Sequence, residues 1–64
     1  MIDTSRLRGL IVERGYSQRK VAAELGVSET TFYNKMRAGV FSSTEISALI
    51  KLLDIRNPME IFFY

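Results

Sequence analysis

Apolar residues recur along this chain at intervals of three and four, the spacing that lines up side chains on one face of an α-helix. Leu7, Leu10 and Ile11 begin the pattern and predict a first helix over residues 5–13, with Asp3 or Thr4 as its N-cap. Gly15, just past Arg14, suits the left-handed backbone of a helix end because it has no Cβ to clash. Ser17 then offers a hydroxyl to the free amides of a second helix, residues 18–25, whose buried face is Val21, Ala22 and Leu25. Gly26 ends it.

Only Val27 separates Gly26 from Ser28, the next N-cap, so the second and third helices are joined by about three residues that include a glycine. The third helix, residues 29–37, has two strongly apolar inward candidates, Phe32 and Met36; Gly39 stops it, and Val40 and Phe41 are expected to tuck under the core. Ser42 and Glu45 read as a capping box that opens a fourth helix, the hydroxyl and the carboxylate each bonding the other residue's amide. Its stripe of Ile46, Leu49, Ile50 and Leu53 is the cleanest in the chain and the expected backbone of the core. Asn57, Pro58 and Glu60 repeat the start signal, with cap, helix-opening proline and acidic third residue, and predict a short fifth helix through Phe62. No repeat or linker divides residues 1–64, and only the last few could pass for a strand. The expectation is one all-α domain of five helices.

Composition narrows the chemistry. With 64 residues the core must be efficient, since a chain this short buries only about 60% of its unfolded surface. Hydrophobic residues make up 47% and charged residues 25%, a balance that favours folding over disorder. The absence of Cys and His excludes disulfides, zinc-finger sites and imidazole bases together, so neither an enzyme nor a metal or other cofactor is expected. Apolar runs of three or four residues are too short to span a bilayer, and no signal-peptide segment opens the chain, which points to a cytoplasmic protein without a membrane partner. The net charge is only +2, but residues 14–37 hold five bases (Arg14, Arg19, Lys20, Lys35, Arg37) against two acids (Glu24, Glu29), a local excess of +3.

The turn between the second and third helices meets a specific geometric demand. Two helices in close approach need a small residue where they touch, here Ala22, a left-handed turn residue, here Gly26, and apolar pins, here Leu25, Val27 and Phe32. A bulky residue at Ala22 or Gly26 should destabilise strongly, by overpacking or backbone strain. The stretch SQRKVAAELGVSETTFYNKMRAG resembles the helix-turn-helix of the lambda-repressor and Cro type found in temperate-phage repressors, with the motif at about residues 18–37. EISALIKLLDI and NPMEIFF resemble the remaining helices, so the likeness covers nearly the whole chain. It implies a five-helix lambda-repressor-like domain binding a double-stranded DNA operator, usually as a dimer, in the bacterial host cytoplasm at the nucleoid. Lys35 departs from the aromatic or aliphatic residue common at its position and is expected to face phosphate instead.

Independently of the likeness, Thr30, Tyr33, Asn34 and Arg37 fall on one face of the third helix, opposite Phe32 and Met36, as a stripe of hydrogen-bonding groups. An arbitrary helix carries such a stripe as a solvated face; after this turn it is expected to be the groove face. Asn34 suits adenine, Thr30 a thymine methyl, Glu29 the amino group of cytosine, and Tyr33 either base or phosphate. The resemblance implies a phosphate contact for Gln18, at the first turn of the second helix. Ser28 is expected to cap and also to meet phosphate. Arg19, Lys35 and Arg37 are the further backbone candidates, ahead of Lys20, while Arg6, Arg8, Lys51 and Arg56 have no assigned partner.

Ile61 and Phe62 can cap the core, but adjacent Phe63 and Tyr64 cannot all point inward from one helical turn, so Phe62, Phe63 and Tyr64 are candidates for a two-fold homodimer contact, weighed against a frayed end packed on the first helix. The leading expectation is a Cro-like repressor that excludes polymerase from its operator, responds to concentration alone and takes no small-molecule ligand. The alternative is an antirepressor or antitoxin-like module that binds a protein partner, motivated by the aromatic end and by Glu29, a charge unfavourable near phosphate.

Overall fold

The computed structural model describes residues 2–63, and these fold into five helices without a strand: α1 Thr4–Glu13, α2 Gln18–Leu25, α3 Glu29–Ala38, α4 Ser43–Leu53 and α5 Pro58–Phe62. The all-α expectation is met. None of these helices is long and apolar enough to cross a membrane.

Local chemistry accounts for most of the boundaries. Asp3, of the two candidates, caps α1 by accepting from the Arg6 amide at 3.0 Å; Ser17 caps α2 through the Lys20 amide at 3.0 Å, and Ser28 caps α3 through the Thr31 amide at 3.1 Å. Ser42 and Glu45 form the full capping box of α4. Four helices end alike: the amides of Tyr16, Val27, Val40 and Ile55 bond back to the carbonyls of Ile11, Ala22, Lys35 and Ile50, at 3.0–3.1 Å. This is the Schellman closure, which needs a left-handed residue just before the bonding amide. Gly15, Gly26 and Gly39 supply it for three helices, and Asp54 at φ 50° supplies it for α4 without being a glycine. At α5 the pattern weakens, because Asn57 occupies the cap position but makes no side-chain cap bond.

Among the described residues, twelve apolar side chains form the core, drawn from every helix and from the segments after α3 and α4. Phe32 is fully buried, and its ring meets Phe41 at 5.8 Å between centroids in a tilted pair. The stripe of α4 is less uniform than its periodicity suggests: Leu49 and Leu53 are buried, whereas Ile46 and Ile50 lie half-exposed at its flanks. Leu10 and Leu25 are likewise half-buried. Only half of the predicted Val40–Phe41 tuck occurs. Phe41 enters the core while Val40 stays 66% exposed, because the residue closing α3 turns outward and the next one turns in.

α2 packs against α3 and α4, and α1 packs against α5. Contacts distant in sequence fasten the second pair. The Asp3 amide donates to the Ile61 carbonyl at 2.7 Å, and Arg6 reaches Glu60 at 3.4 Å. From the end of α1, the Arg14 guanidinium donates to the carbonyls of Leu53 at 2.8 Å and Asp54 at 3.4 Å. A cation thus meets the negative end of α4.

Candidate nucleic-acid interface

Two helices and the residues between them build the candidate site. Gly26, at φ 75°, turns the chain left-handed, and the Val27 amide closes α2 on Ala22. Ser28 then starts α3 at once, so three residues reverse the chain, the Gly26 and Val27 amides bonding back into α2 and the Ser28 hydroxyl capping α3. Ala22, buried to within 1%, is the small contact that the sequence marks, and half-buried Val27 pins the turn from inside.

Behind α3, Phe32 and Met36 anchor the helix in the core. On its flank, the Lys35 ammonium donates to Glu45 Oε1 at 3.1 Å, and the same oxygen accepts the Ser42 amide at 2.8 Å. The Ser42 amide, more than any other group, holds the Glu45 carboxyl below its ordinary pKa; partial burial opposes this, and Lys35 reinforces it. One carboxylate therefore caps α4 and ties α3 to it.

The outward face of α3 is open. Glu29, Thr30, Tyr33, Asn34 and Arg37 are all exposed, Tyr33 to 56%, and none forms a side-chain hydrogen bond or ion pair with another described residue. The periodicity that predicted this stripe is observed. Glu29 also has a local role in the first turn of α3, where a carboxylate favours the positive helix end.

The backbone-contact candidates divide. Arg19 and Arg37 are exposed cations with no ion-pair partner among the described residues, whereas Lys20 pairs with Glu24 one turn away at 3.3 Å. Gln18 is half-buried at the start of α2, beside the free amides of the first turn. Lys35 is engaged with Glu45 and only 30% exposed at its side chain, so in this structure it braces α3 and does not project toward a phosphate. Ser28 both accepts from the Thr31 amide and donates its hydroxyl hydrogen to Thr31 Oγ1 at 2.9 Å, which leaves no hydrogen for a phosphate while that bond lasts. Arg14, counted with the central positive charge, is directed instead to the end of α4. No spacing in the sequence signals that contact, since Arg14 and Leu53 are 39 positions apart.

The aromatic end also divides. Phe62 is 3% exposed and belongs to the core, which corrects its assignment to a dimer surface: α5 turns Ile61 and Phe62 inward together. Phe63 is 63% exposed and remains available, and Tyr64 lies outside the described residues. No protein-family model matches the chain, and no curated protein or solved structure matches it either.

Proposed function

We propose that this protein binds double-stranded DNA in a sequence-specific manner, with α2 and α3 as a lambda-repressor-like helix-turn-helix, and that it represses transcription by occupying an operator. The observation that carries this reading is the α3 face: four polar side chains, Thr30, Tyr33, Asn34 and Arg37, stand free in solvent on a helix braced from behind by Phe32, Met36 and the Lys35–Glu45 bond. A probe with open hydrogen-bonding groups and a fixed back suits the major groove, where each base pair presents its own pattern of donors and acceptors. Arg19 and Arg37 add unpaired positive charge, and the first-turn amides of α2 add a phosphate seat beside Gln18. Operator occupancy by a homodimer would space the half-sites about 34 Å apart.

Selection from random DNA duplexes tests this directly. The wild type should enrich one half-site sequence, and Asn34→Ala should relax preference at one base pair by about 1–3 kcal/mol. Arg37→Ala should weaken all duplexes and reduce the salt slope by roughly one. Failure to enrich any sequence would remove the reading.

Exposed apolar groups favour a second reading, a protein-binding module on the same scaffold. Val40 and Phe63 are both more than half exposed. Salt separates the two. Raising it from about 50 to about 200 mM should cost DNA binding orders of magnitude, while an apolar protein contact should hardly change.

A further inference from the structure

The apolar contacts behind α3 fix its depth more firmly than its rotation. Phe32 and Met36 are buried, and the attraction that buries them is non-directional. At the N-terminal end, the short reversal through Gly26 and Val27 and the Ser28 cap restrict any turning of the helix about its axis. The C-terminal half has no equivalent restraint in its own closing bonds, which run from the Gly39 and Val40 amides to the Lys35 carbonyl and so return into α3 itself. Among the described residues, one side-chain bond alone joins α3 to another helix: the Lys35 ammonium donates to Glu45 Oε1 on α4 at 3.1 Å.

We propose that Glu45 is a positioning residue for sequence discrimination: through Lys35 it sets the rotation at which the C-terminal half of α3 presents Asn34 and Arg37 to base pairs. The inference rests on the DNA-binding reading above and adds to it the group, on another helix, that aims the probe. Its acceptor is fixed beforehand, because Glu45 Oε1 also takes the Ser42 amide at 2.8 Å. The pair is sheltered, with the Lys35 and Glu45 side chains 30% and 14% exposed, so salt screens it less than a pair in open water. The Ser42 amide first of all holds the Glu45 carboxyl below its ordinary pKa, against partial burial and with help from Lys35, so the carboxylate is charged at neutral pH. In the chain, Lys35 sits between Asn34, on the outward face, and Met36, in the core, so movement of its backbone is passed to the outward face directly. Bonds to base edges are steep in distance and angle, and a displacement of about 0.5 Å is enough to spoil a binding constellation. Attraction to phosphates falls off slowly with distance and survives such a shift. Loosening the tie should therefore cost discrimination and spare general affinity.

Fluorescence anisotropy of the full chain tests this, with two duplexes at one salt concentration: the sequence that the wild type selects and a random-sequence control. Glu45→Gln is the main variant, since glutamine also serves at this place in a capping box and keeps α4 capped while removing the charge that Lys35 meets. Its ratio of selected to random affinity should fall about fivefold, with random-duplex affinity not reduced. Lys35→Gln should lower the ratio by about as much, any phosphate attraction it loses cancelling between the two duplexes, and the double variant should lose no more than either single one, as expected of two residues acting as one tie. Arg56→Gln, which breaks an exposed pair with Asp54, should leave the ratio unchanged. A merely structural role would lower the melting temperature of Glu45→Gln and leave the ratio of the folded protein where it was. A folded Glu45→Gln with the wild-type ratio, additive losses in the double variant, or an equal loss in Arg56→Gln would each overturn the inference and leave the DNA-binding reading standing. A wild type that selects no sequence would overturn both.

Discussion

The α2–α3 pair and the α1–α5 pair are fastened by interactions of different reach. α2 and α3 meet through core packing, and the bonds that cap and close each of them join residues within five positions of one another: Ser17 to Lys20, Val27 to Ala22, Ser28 to Thr31, Val40 to Lys35. Between α1 and the end of the chain, the bonds span about forty positions or more: Arg14 to Leu53, Arg6 to Glu60, Asp3 to Ile61. The first pair carries the candidate interface and holds its shape through cap and turn residues. The second pair depends on the rest of the fold being in place.

The strongest way to break this contrast is to remove what both regions share. Phe32→Ala takes a fully buried ring from the centre of the core and should cost about 3–5 kcal/mol, enough to unfold most of a domain this small. Urea denaturation reads it; a loss below about 2 kcal/mol would mean that the core does not centre on this ring. Gly26→Ala comes next. A built Cβ meets nothing within 4 Å, so its cost of about 1–2 kcal/mol is backbone strain alone, from the left-handed φ. Hydrogen exchange should show that loss concentrated in α2 and α3.

Arg14→Gln tests the other region. Loss of the charged bonds to Leu53 and Asp54 should cost about 1 kcal/mol and speed exchange in the last turn of α4, leaving α3 protected. Equal loosening of α3 would erase the distinction between short-range and long-range fastening. The smallest effect concerns Glu45. Its folded pKa is depressed, so the stability it contributes is present above the unfolded value of 4.5 and disappears as pH falls through the folded value. Glu45→Gln should therefore flatten the acid limb of a stability–pH curve. A curve that keeps its wild-type acid slope would show that the Ser42–Glu45–Lys35 cluster contributes nothing through ionisation.

The same difference in reach explains how much was legible from the residues alone. The ends of α2 and α3, the capping box of α4 and the outward face of α3 were all readable, because a cap or an amphipathic stripe is written within a few neighbouring positions. Asp54 as a left-handed stop was not, since an aspartate, unlike a glycine, adopts that backbone only on occasion. Nor was the engagement of Lys35 with Glu45, ten positions away, or of Arg14 with the end of α4; a charged residue does not announce a partner on another helix. Phe62 illustrates the limit at the C-terminus. Three adjacent aromatics imply that some are exposed, but only the docking of α5 on α1 decides which.

One property of the interior reaches beyond this molecule. Among the described residues no polar or charged side chain is buried, so the packing demands volume and oiliness and no particular pairing of donors with acceptors. Aliphatic and aromatic residues can trade places in such an interior while total volume is kept. Kindred chains could therefore drift far apart in letters while sharing one shape, and the places they would be slowest to change are the close contact at Ala22 and the left-handed reversals at Gly15, Gly26 and Gly39.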